Sequence, residues 1–213
     1  MDVLFEDNDF LAVHKPENIA SIPERLSGRD SIVHMLRQSR GERLFVVHRL
    51  DKEVSGVLVF ARNSGAHKYL NDKFSSREVR KSYLAVVHGL IPGEGGSVNR
   101  PLRQFGSGRM GVDDRGKPAE TSFDVEERLG RYTVVMAYPH TGRRHQLRVH
   151  FYSIGHPVVG DVRYGDRALQ KKFPRLMLHA LTISFVLPSG ERIKIHADPP
   201  TSFLKCFNQL RQE

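Results

Sequence analysis

The residues best placed to do chemistry lie in one polar segment, HRLDKEVSG, which joins two apolar runs at residues 44–47 and 57–61. Both runs are rich in Val, Leu and Phe, as buried strands are. A polar segment between two core strands is held rigidly, which suits catalytic groups. Asp51 is its candidate nucleophile, because carboxylates can form covalent intermediates. From spacing alone, however, the simpler interpretation is favoured: Asp51 caps a turn and Arg49 is solvated.

The elements that must position this segment are mostly strands. Alternating or apolar patterns predict strands at residues 3–5, 10–15, 82–87, 123–127, 132–138, 181–187 and 192–196. Helices are predicted from a cap at Asp30 to Arg40, from Asn63 or Ser64 to Phe74, from a cap at Thr141 to Tyr152, and after Pro200. Because strands outnumber helices and often follow one another, we expect one α+β domain with a mixed sheet.

The bulk composition indicates a polyanionic partner. The 213 residues carry a net charge of +9, which favours nucleic acid first and an anionic membrane second. A single cysteine, Cys206, excludes a disulfide framework. No apolar run is long enough to span a bilayer, and the acidic N-terminus is unlike a signal sequence. We therefore expect a cytoplasmic protein that does not act at a membrane.

Two further patterns look like sites and fail on context. Residues 106–111 match GxGxxG, but no apolar strand leads into them and no helix start follows, so a phosphate-binding basic loop fits better than a dinucleotide site. His140, His145 and His150 recur every five positions and therefore do not share one helix face. We expect no metal site there.

Several longer motifs occur together in one order. HRLDKEVSG is followed by KSYLAVVHG, GKPAET, HTGRRHQLRVH, GHPVVGDVRYG and LMLHA. This series resembles the RluA-type pseudouridine synthases over nearly the whole chain. Two positions depart from the family pattern: Val54 stands where the family has Thr, and Asn18 where Gly is usual. Asn tolerates a left-handed backbone, whereas Val54 removes a hydroxyl beside the catalytic segment.

The resemblance implies a catalytic domain built on a long mixed, mostly antiparallel sheet with a central RNA-binding cleft. It implies no cofactor. The chain resembles the short form of the family without an N-terminal S4 domain. Its length and residues 22–36 most resemble RluA, whose substrates are stem-loops of tRNA and large-subunit rRNA.

The resemblance also assigns three catalytic positions. Asp51 matches the nucleophile and Arg148 its ionic partner. Tyr83 matches the residue that lies against the base, as the general base or as part of the proton relay. Asp51 would attack uridine at C6 of the base or C1′ of the ribose, and the sequence leaves both open. The glycosidic bond would break, and the uracil would rotate and rejoin the sugar through C5.

The target base must leave its stack to reach Asp51, and the resemblance suggests that Arg49 fills the gap. Phosphate and other RNA contacts are expected from His48, Arg25, Arg29, Arg103, Arg109, Arg143, Arg144 and His145. The predicted partner is RNA, with no obligate protein partner and a monomeric state. Two alternatives stay open: a non-catalytic RNA-binding protein, and a metal-independent ribonuclease using His145 and His150, which their spacing disfavours.

Overall fold

The computed structural model of the chain describes residues 1–23 and 31–212. Contacts between Cα atoms divide it into two compact units. Unit 1 comprises Met1–Lys81 and Ala180–Pro199, and unit 2 comprises Ser82–His179 and Pro200–Glu213. That the whole chain forms a single domain stays a prediction.

The described residues form strands and helices in the following chain order: β1 (Val3–Glu6), β2 (Phe10–Lys15), α1 (Ile32–Arg40), β3 (Phe45–Val46), β4 (Ser55–Ala61), α2 (Ser64–Ser75), β5 (Arg80–His88), β6 (Gly95–Asn99), β7 (Leu102–Gln104), β8 (Met110–Val112), β9 (Glu120–Leu129), β10 (Tyr132–Pro139), α3 (Gln146–Ser153), α4 (Arg167–Gln170), β11 (Leu178–Val186), β12 (Arg192–His196) and α5 (Thr201–Leu210).

Unit 1 is a sheet with the strand order β1-β2-β4-β11, in which β3 also pairs with β4 and β12 with β11. The pairs β1·β2, β2·β4, β3·β4 and β11·β12 are antiparallel. All seven residues of β4 are buried, which is expected of a central strand covered on both faces. Its core packs Phe10, Val59, Leu70 and Phe185 together.

The helices of unit 1 begin at side-chain caps. The Asn63 side chain accepts a hydrogen bond from the Ala66 backbone N–H at 2.8 Å and starts α2, as predicted. The cap of α1 is Ser31, whose hydroxyl accepts from His34 N–H; the predicted cap, Asp30, lies outside the described residues. Gly41 ends α1 with φ of 66°, the left-handed conformation that glycine adopts readily.

Unit 2 contains an antiparallel sheet with the order β5-β10-β9-β6 and a separate hairpin of β7 and β8. Its core includes Val86, Val134, Met177 and Phe203. The predicted α+β class with mostly antiparallel strands is confirmed. The GxGxxG match lies at the tip of the hairpin, where Phe105 N–H donates to the Arg109 carbonyl at 2.9 Å and the chain turns into β8.

One helix prediction in unit 2 is wrong. Helix α3 begins at Gln146, not at Gly142. The Thr141 hydroxyl accepts a hydrogen bond from Glu120 N–H at 3.0 Å and donates to Gln146 Oε1 at 2.6 Å, so it fixes a loop before the helix. Arg144 therefore precedes α3 and does not share the helix with Arg148.

None of the helices in the described part of the chain is both long and apolar enough to cross a membrane.

Candidate active site

The backbone around Asp51 is held by hydrogen bonds on both sides. Before Asp51, Leu50 N–H donates to the Ser21 hydroxyl at 3.0 Å, and that hydroxyl donates to the Leu50 carbonyl at 2.8 Å. After it, Val54 N–H donates to the Asp51 carbonyl at 3.1 Å. Asp51 itself is half-buried. These bonds give the carboxylate a fixed origin on unit 1, as a nucleophile requires.

A buried ammonium adds a third tether. Lys15 is fully buried, and its Nζ donates to the carbonyls of Pro16, Ile19 and Lys52 at 2.8, 2.7 and 3.0 Å. A buried lysine needs such partners to keep its charge. Through Lys52 it ties the turn beginning at Asp51 to the loop that follows β2. Asn18 lies in that loop with φ of 65°, so the residue that departs from the family glycine does adopt the expected left-handed conformation.

Packing explains the end of the HRLDKEVSG segment that leads into β4. The Val54 side chain is 2% exposed and the backbone closes the turn, so the family's hydroxyl is replaced by core packing. Gly56 has φ of 120°, and a Cβ atom there would lie 2.1 Å from the Ala180 carbonyl oxygen. Only glycine permits this approach, and the segment therefore enters β4 at one defined position.

His48 and Arg49 have contrasting surroundings. Val59 N–H donates to His48 Nε2 at 3.0 Å, and the ring stacks on Phe74 with centroids 5.2 Å apart. Burial, together with the charge of Lys81, lowers the pKa of His48 to about 3. A neutral ring bonded to β4 favours a structural part for His48 over the predicted phosphate contact. Arg49 is exposed, as a side chain entering an RNA stack must be.

Tyr83 lies on β5 of unit 2, opposite Ala137 of β10, and is half-buried. Lys81, two residues earlier in the strand, has its pKa lowered to about 8 by burial. The partnership of Tyr83 and Arg148 with Asp51 stays a prediction.

Arg148 is held by a carboxylate that the sequence analysis missed. Its Nε and Nη2 donate to the two carboxylate oxygens of Asp161, both at 2.8 Å. The two side chains are 2% and 0% exposed. Asp161 also accepts from the backbone N–H groups of Arg163 and Tyr164, at 3.0 and 3.2 Å. This two-point geometry fixes the plane of the guanidinium as well as its charge.

Tyr164 joins Arg148 to His145. Its ring centre lies 5.3 Å from the Arg148 guanidinium carbon, a cation–π distance. The Tyr164 hydroxyl accepts from Met110 N–H at 3.2 Å and lies 2.6 Å from His145 Nδ1. Burial raises the pKa of Tyr164, so the hydroxyl keeps its proton and can donate it to His145. His145 is thereby held at the N-cap of α3 with φ of 55°.

His150 is a structural residue. It is fully buried, with Nδ1 2.9 Å from the Thr121 hydroxyl and Nε2 3.0 Å from the Arg100 carbonyl. Since a carbonyl only accepts, Nε2 carries the proton and Nδ1 accepts from Thr121. Burial lowers the pKa of His150. With both nitrogens engaged inside unit 2, His150 is unsuited to acid–base catalysis, which weighs against the ribonuclease alternative.

The remaining predicted RNA contacts differ in availability. Arg144 is exposed, and Arg143 donates Nε to the Pro118 carbonyl at 3.0 Å. Arg103 pairs with Asp113 at 3.4 Å. Arg109 is exposed. Arg25 and Arg29 lie outside the described residues.

Within residues 1–23 and 31–212, no group of three or more His, Cys, Asp or Glu side chains is arranged to hold a metal ion.

The residues missed at the sequence level are Asp161, Tyr164, Lys15 and Ser21. Asp161 and Tyr164 stand in GHPVVGDVRYG, one of the motifs that carried the family resemblance, but no spacing rule connects them to Arg148. Lys15 stands beside Pro16 at a strand end, where a lysine is ordinarily solvated. Only its burial marks Lys15 as a structural residue, and burial cannot be read from the sequence.

Comparison with known proteins identifies the family of this chain. The family model described as RNA pseudouridylate synthase matches residues 9–153. Ribosomal large subunit pseudouridine synthase C of Escherichia coli K12 is 37% identical over 98% of this chain and 70% of its own. The same-named protein of Pasteurella multocida is 37% identical over 99% of this chain and 68% of its own.

Solved structures match over nearly the full length. Human RNA pseudouridylate synthase domain containing 1 has a TM-score of 0.82 at 29% identity, covering 99% of this chain and 92% of its own. Human RNA pseudouridylate synthase domain containing 4 has a TM-score of 0.79 at 26% identity, covering 98% and 92%.

The chain therefore belongs to the RNA pseudouridylate synthase family. It is an isomerase that converts uridine in RNA to pseudouridine.

Proposed function

We propose that this enzyme modifies uridine in a stem-loop of large-subunit ribosomal RNA, with Asp51 as its nucleophile. The observation that carries the proposal is the set of tethers around Asp51, in which Ser21, Lys15 and Val54 hold the backbone on either side. A turn that merely connected two strands would not need a buried ammonium. The choice of ribosomal RNA rests on the names of the relatives.

The reaction requires three actions from the chain. The Asp51 carboxylate adds to C6 of the uracil or to C1′ of the ribose, and the bond between N1 and C1′ breaks. The uracil turns within the site, and C5 bonds to C1′. A carboxylate bonded to C1′ leaves as C5 bonds to that atom, whereas a carboxylate bonded to C6 leaves when the C5 proton is removed. In both cases Tyr83 accepts the proton from C5 or passes it on, and N1 gains a proton, so the product is an isomer of the substrate. Arg148, oriented by Asp161, would stabilise the charged intermediates.

RNA would be held largely through its phosphates. Arg143 and Arg144, just before α3, and the exposed Arg109 are suited to this. Arg49 would occupy the space of the everted uridine, and opening a loop costs only a few kcal/mol. We expect the enzyme to work in the cytoplasm as a monomer without a cofactor.

The test uses RNA with tritium at C5 of uridine. Label is released only when C5 exchanges its proton for the glycosidic bond. The native protein should release tritium from a large-subunit rRNA stem-loop, and Asp51→Asn should bind that RNA without releasing label. Asp72→Asn is the matched control, because Asp72 is a 68% exposed carboxylate of unit 1. Tritium release from a tRNA stem-loop, the second predicted substrate, is measured for comparison.

Binding without release by the native protein would favour a non-catalytic RNA-binding protein. Shortened RNA would favour a nuclease. Full activity of Asp51→Asn would refute the nucleophile assignment.

A further inference from the structure

An alternating row of guanidiniums and aromatic rings leads from the buried Arg148 to the surface of unit 2. The Tyr164 ring centre lies 5.3 Å from the Arg148 guanidinium carbon and 5.2 Å from that of Arg109. The Arg109 guanidinium also lies over the Tyr152 ring, at 5.7 Å. Tyr164 is 1% exposed, whereas Tyr152 is 47% exposed. Tyr152 is therefore the open end of the row.

Apart from the contact with Arg109, nothing in the described part of the chain requires a tyrosine at position 152. It stands in the last turn of α3, where a solvent-facing polar residue would serve the helix equally well. Among the described residues its hydroxyl has no hydrogen-bond partner and its ring no aromatic neighbour. A half-exposed ring that contacts only a surface guanidinium is a feature of binding surfaces.

The charges beside Tyr152 are not neutralised. Arg100 donates Nη1 to the carbonyl of Ser153, the next residue along, at 2.7 Å. In the part of the chain that the structure describes, neither Arg100 nor Arg109 forms a salt bridge with a carboxylate. Arg103, on the same hairpin as Arg109, is by contrast paired with Asp113. Two unpaired guanidiniums around an exposed ring are complementary to a nucleotide, which offers an aromatic face and an anion.

We propose that Tyr152, Arg100 and Arg109 form a subsite for one unpaired nucleotide of the substrate RNA. The base stacks on the Tyr152 ring, and its phosphate lies between the two guanidiniums. The proposal rests on the proposed function, since it concerns the RNA on which that function acts. The subsite binds a neighbour of the reacting uridine and touches no reacting atom.

The sequence contains no tryptophan, which provides a direct test. Tyr152→Trp introduces the only indole of the protein, and an RNA base stacked on it quenches its fluorescence. We expect quenching when a stem-loop RNA saturates the variant, and none with a fully paired duplex, whose bases are already stacked. Leu204→Trp is the control because Leu204 is equally exposed, at 47%, on α5; it should show no quenching.

Affinity provides the second readout. Tyr152→Leu should weaken stem-loop binding by roughly 10-fold to 100-fold, the range that loss of one stacked base predicts. Tyr152→Phe should bind normally.

Three results would overturn the subsite. One is unquenched fluorescence of Tyr152→Trp when the anisotropy of a labelled stem-loop shows that the RNA saturates the variant. Another is equal quenching by duplex RNA, which would indicate only electrostatic proximity. The third is equal loss of affinity in Tyr152→Phe and Tyr152→Leu. The proposed function fails separately, if the native protein releases no tritium or if Asp51→Asn releases it with full activity.

Discussion

Removing the charge of Asp161 should destabilise the protein far more than removing a surface carboxylate. Asp161→Asn keeps the shape of the side chain and an oxygen for the N–H groups of Arg163 and Tyr164. It removes the negative charge opposite a guanidinium that is only 2% exposed. Breaking a buried ion pair from one side costs about 3–5 kcal/mol. With a urea m-value of about 2 kcal/mol per molar, the midpoint of unfolding should fall by roughly 2 M.

A double-mutant cycle separates the pair from its surroundings. Arg148→Met alone should also destabilise, because it leaves the Asp161 carboxylate buried. The double variant Asp161→Asn with Arg148→Met should be less destabilised than the sum of the two, with a coupling energy of about 3 kcal/mol. The coupling energy is measured from stability and not from turnover, because Arg148→Met also removes a predicted catalytic group.

The control is the exposed pair of Lys68 and Asp72, with side chains 84% and 68% exposed. Asp72→Asn should change the free energy of unfolding by less than about 0.5 kcal/mol. A coupling energy for Asp161 and Arg148 as small as that would refute the inference that they form a buried, energetically joined pair. In the tritium assay, Asp161→Asn should lower kcat much more than RNA affinity.

Three further outcomes follow from unit 1. Gly56→Ala should lower the free energy of unfolding by at least about 2 kcal/mol, because the new Cβ atom meets the Ala180 carbonyl. The control, Gly142→Ala, should be nearly neutral because no atom lies within 4 Å of the added Cβ. Urea denaturation measures both changes. His48 is neutral in the folded state, with a pKa of about 3, while the unfolded chain takes up its proton below about pH 6.5. Stability should therefore fall as pH drops from 6.5, by at most about 1.4 kcal/mol per pH unit, and His48→Gln should remove that part of the slope. Lys15→Met should cost about 2–4 kcal/mol because three carbonyls lose a charged donor, and tritium release should slow; unchanged turnover would contradict a positioning part for Lys15.

Local pattern was sufficient where local forces decide the structure. The apolar run that opens residues 10–15 predicted β2 with both ends correct. Asn63 and Gly41 marked a helix start and a helix end because capping depends on a few neighbouring atoms. The family resemblance likewise rested on contiguous motifs, and it gave the correct enzyme class.

Contacts between distant segments were not predictable in this way. Thr141 has the residue type of an N-cap, yet its hydroxyl bonds Glu120 and Gln146, and α3 starts four residues after Gly142. Asp161 looked like an ordinary loop residue because its partner, Arg148, lies 13 positions away on another element. The sequence thus supplied the candidate catalytic residues, and the structure supplied the groups that hold them.

Three backbone carbonyls surround the Lys15 ammonium, much as carbonyl dipoles surround a bound potassium ion. Unlike a bound ion, the ammonium is covalently attached to the chain and cannot be exchanged for another ion. The geometry of the turn that carries Asp51 should therefore be insensitive to ionic strength. Binding of RNA by surface arginines has the opposite property, because each phosphate contact releases counterions. Added salt should accordingly raise KM steeply while leaving kcat almost constant.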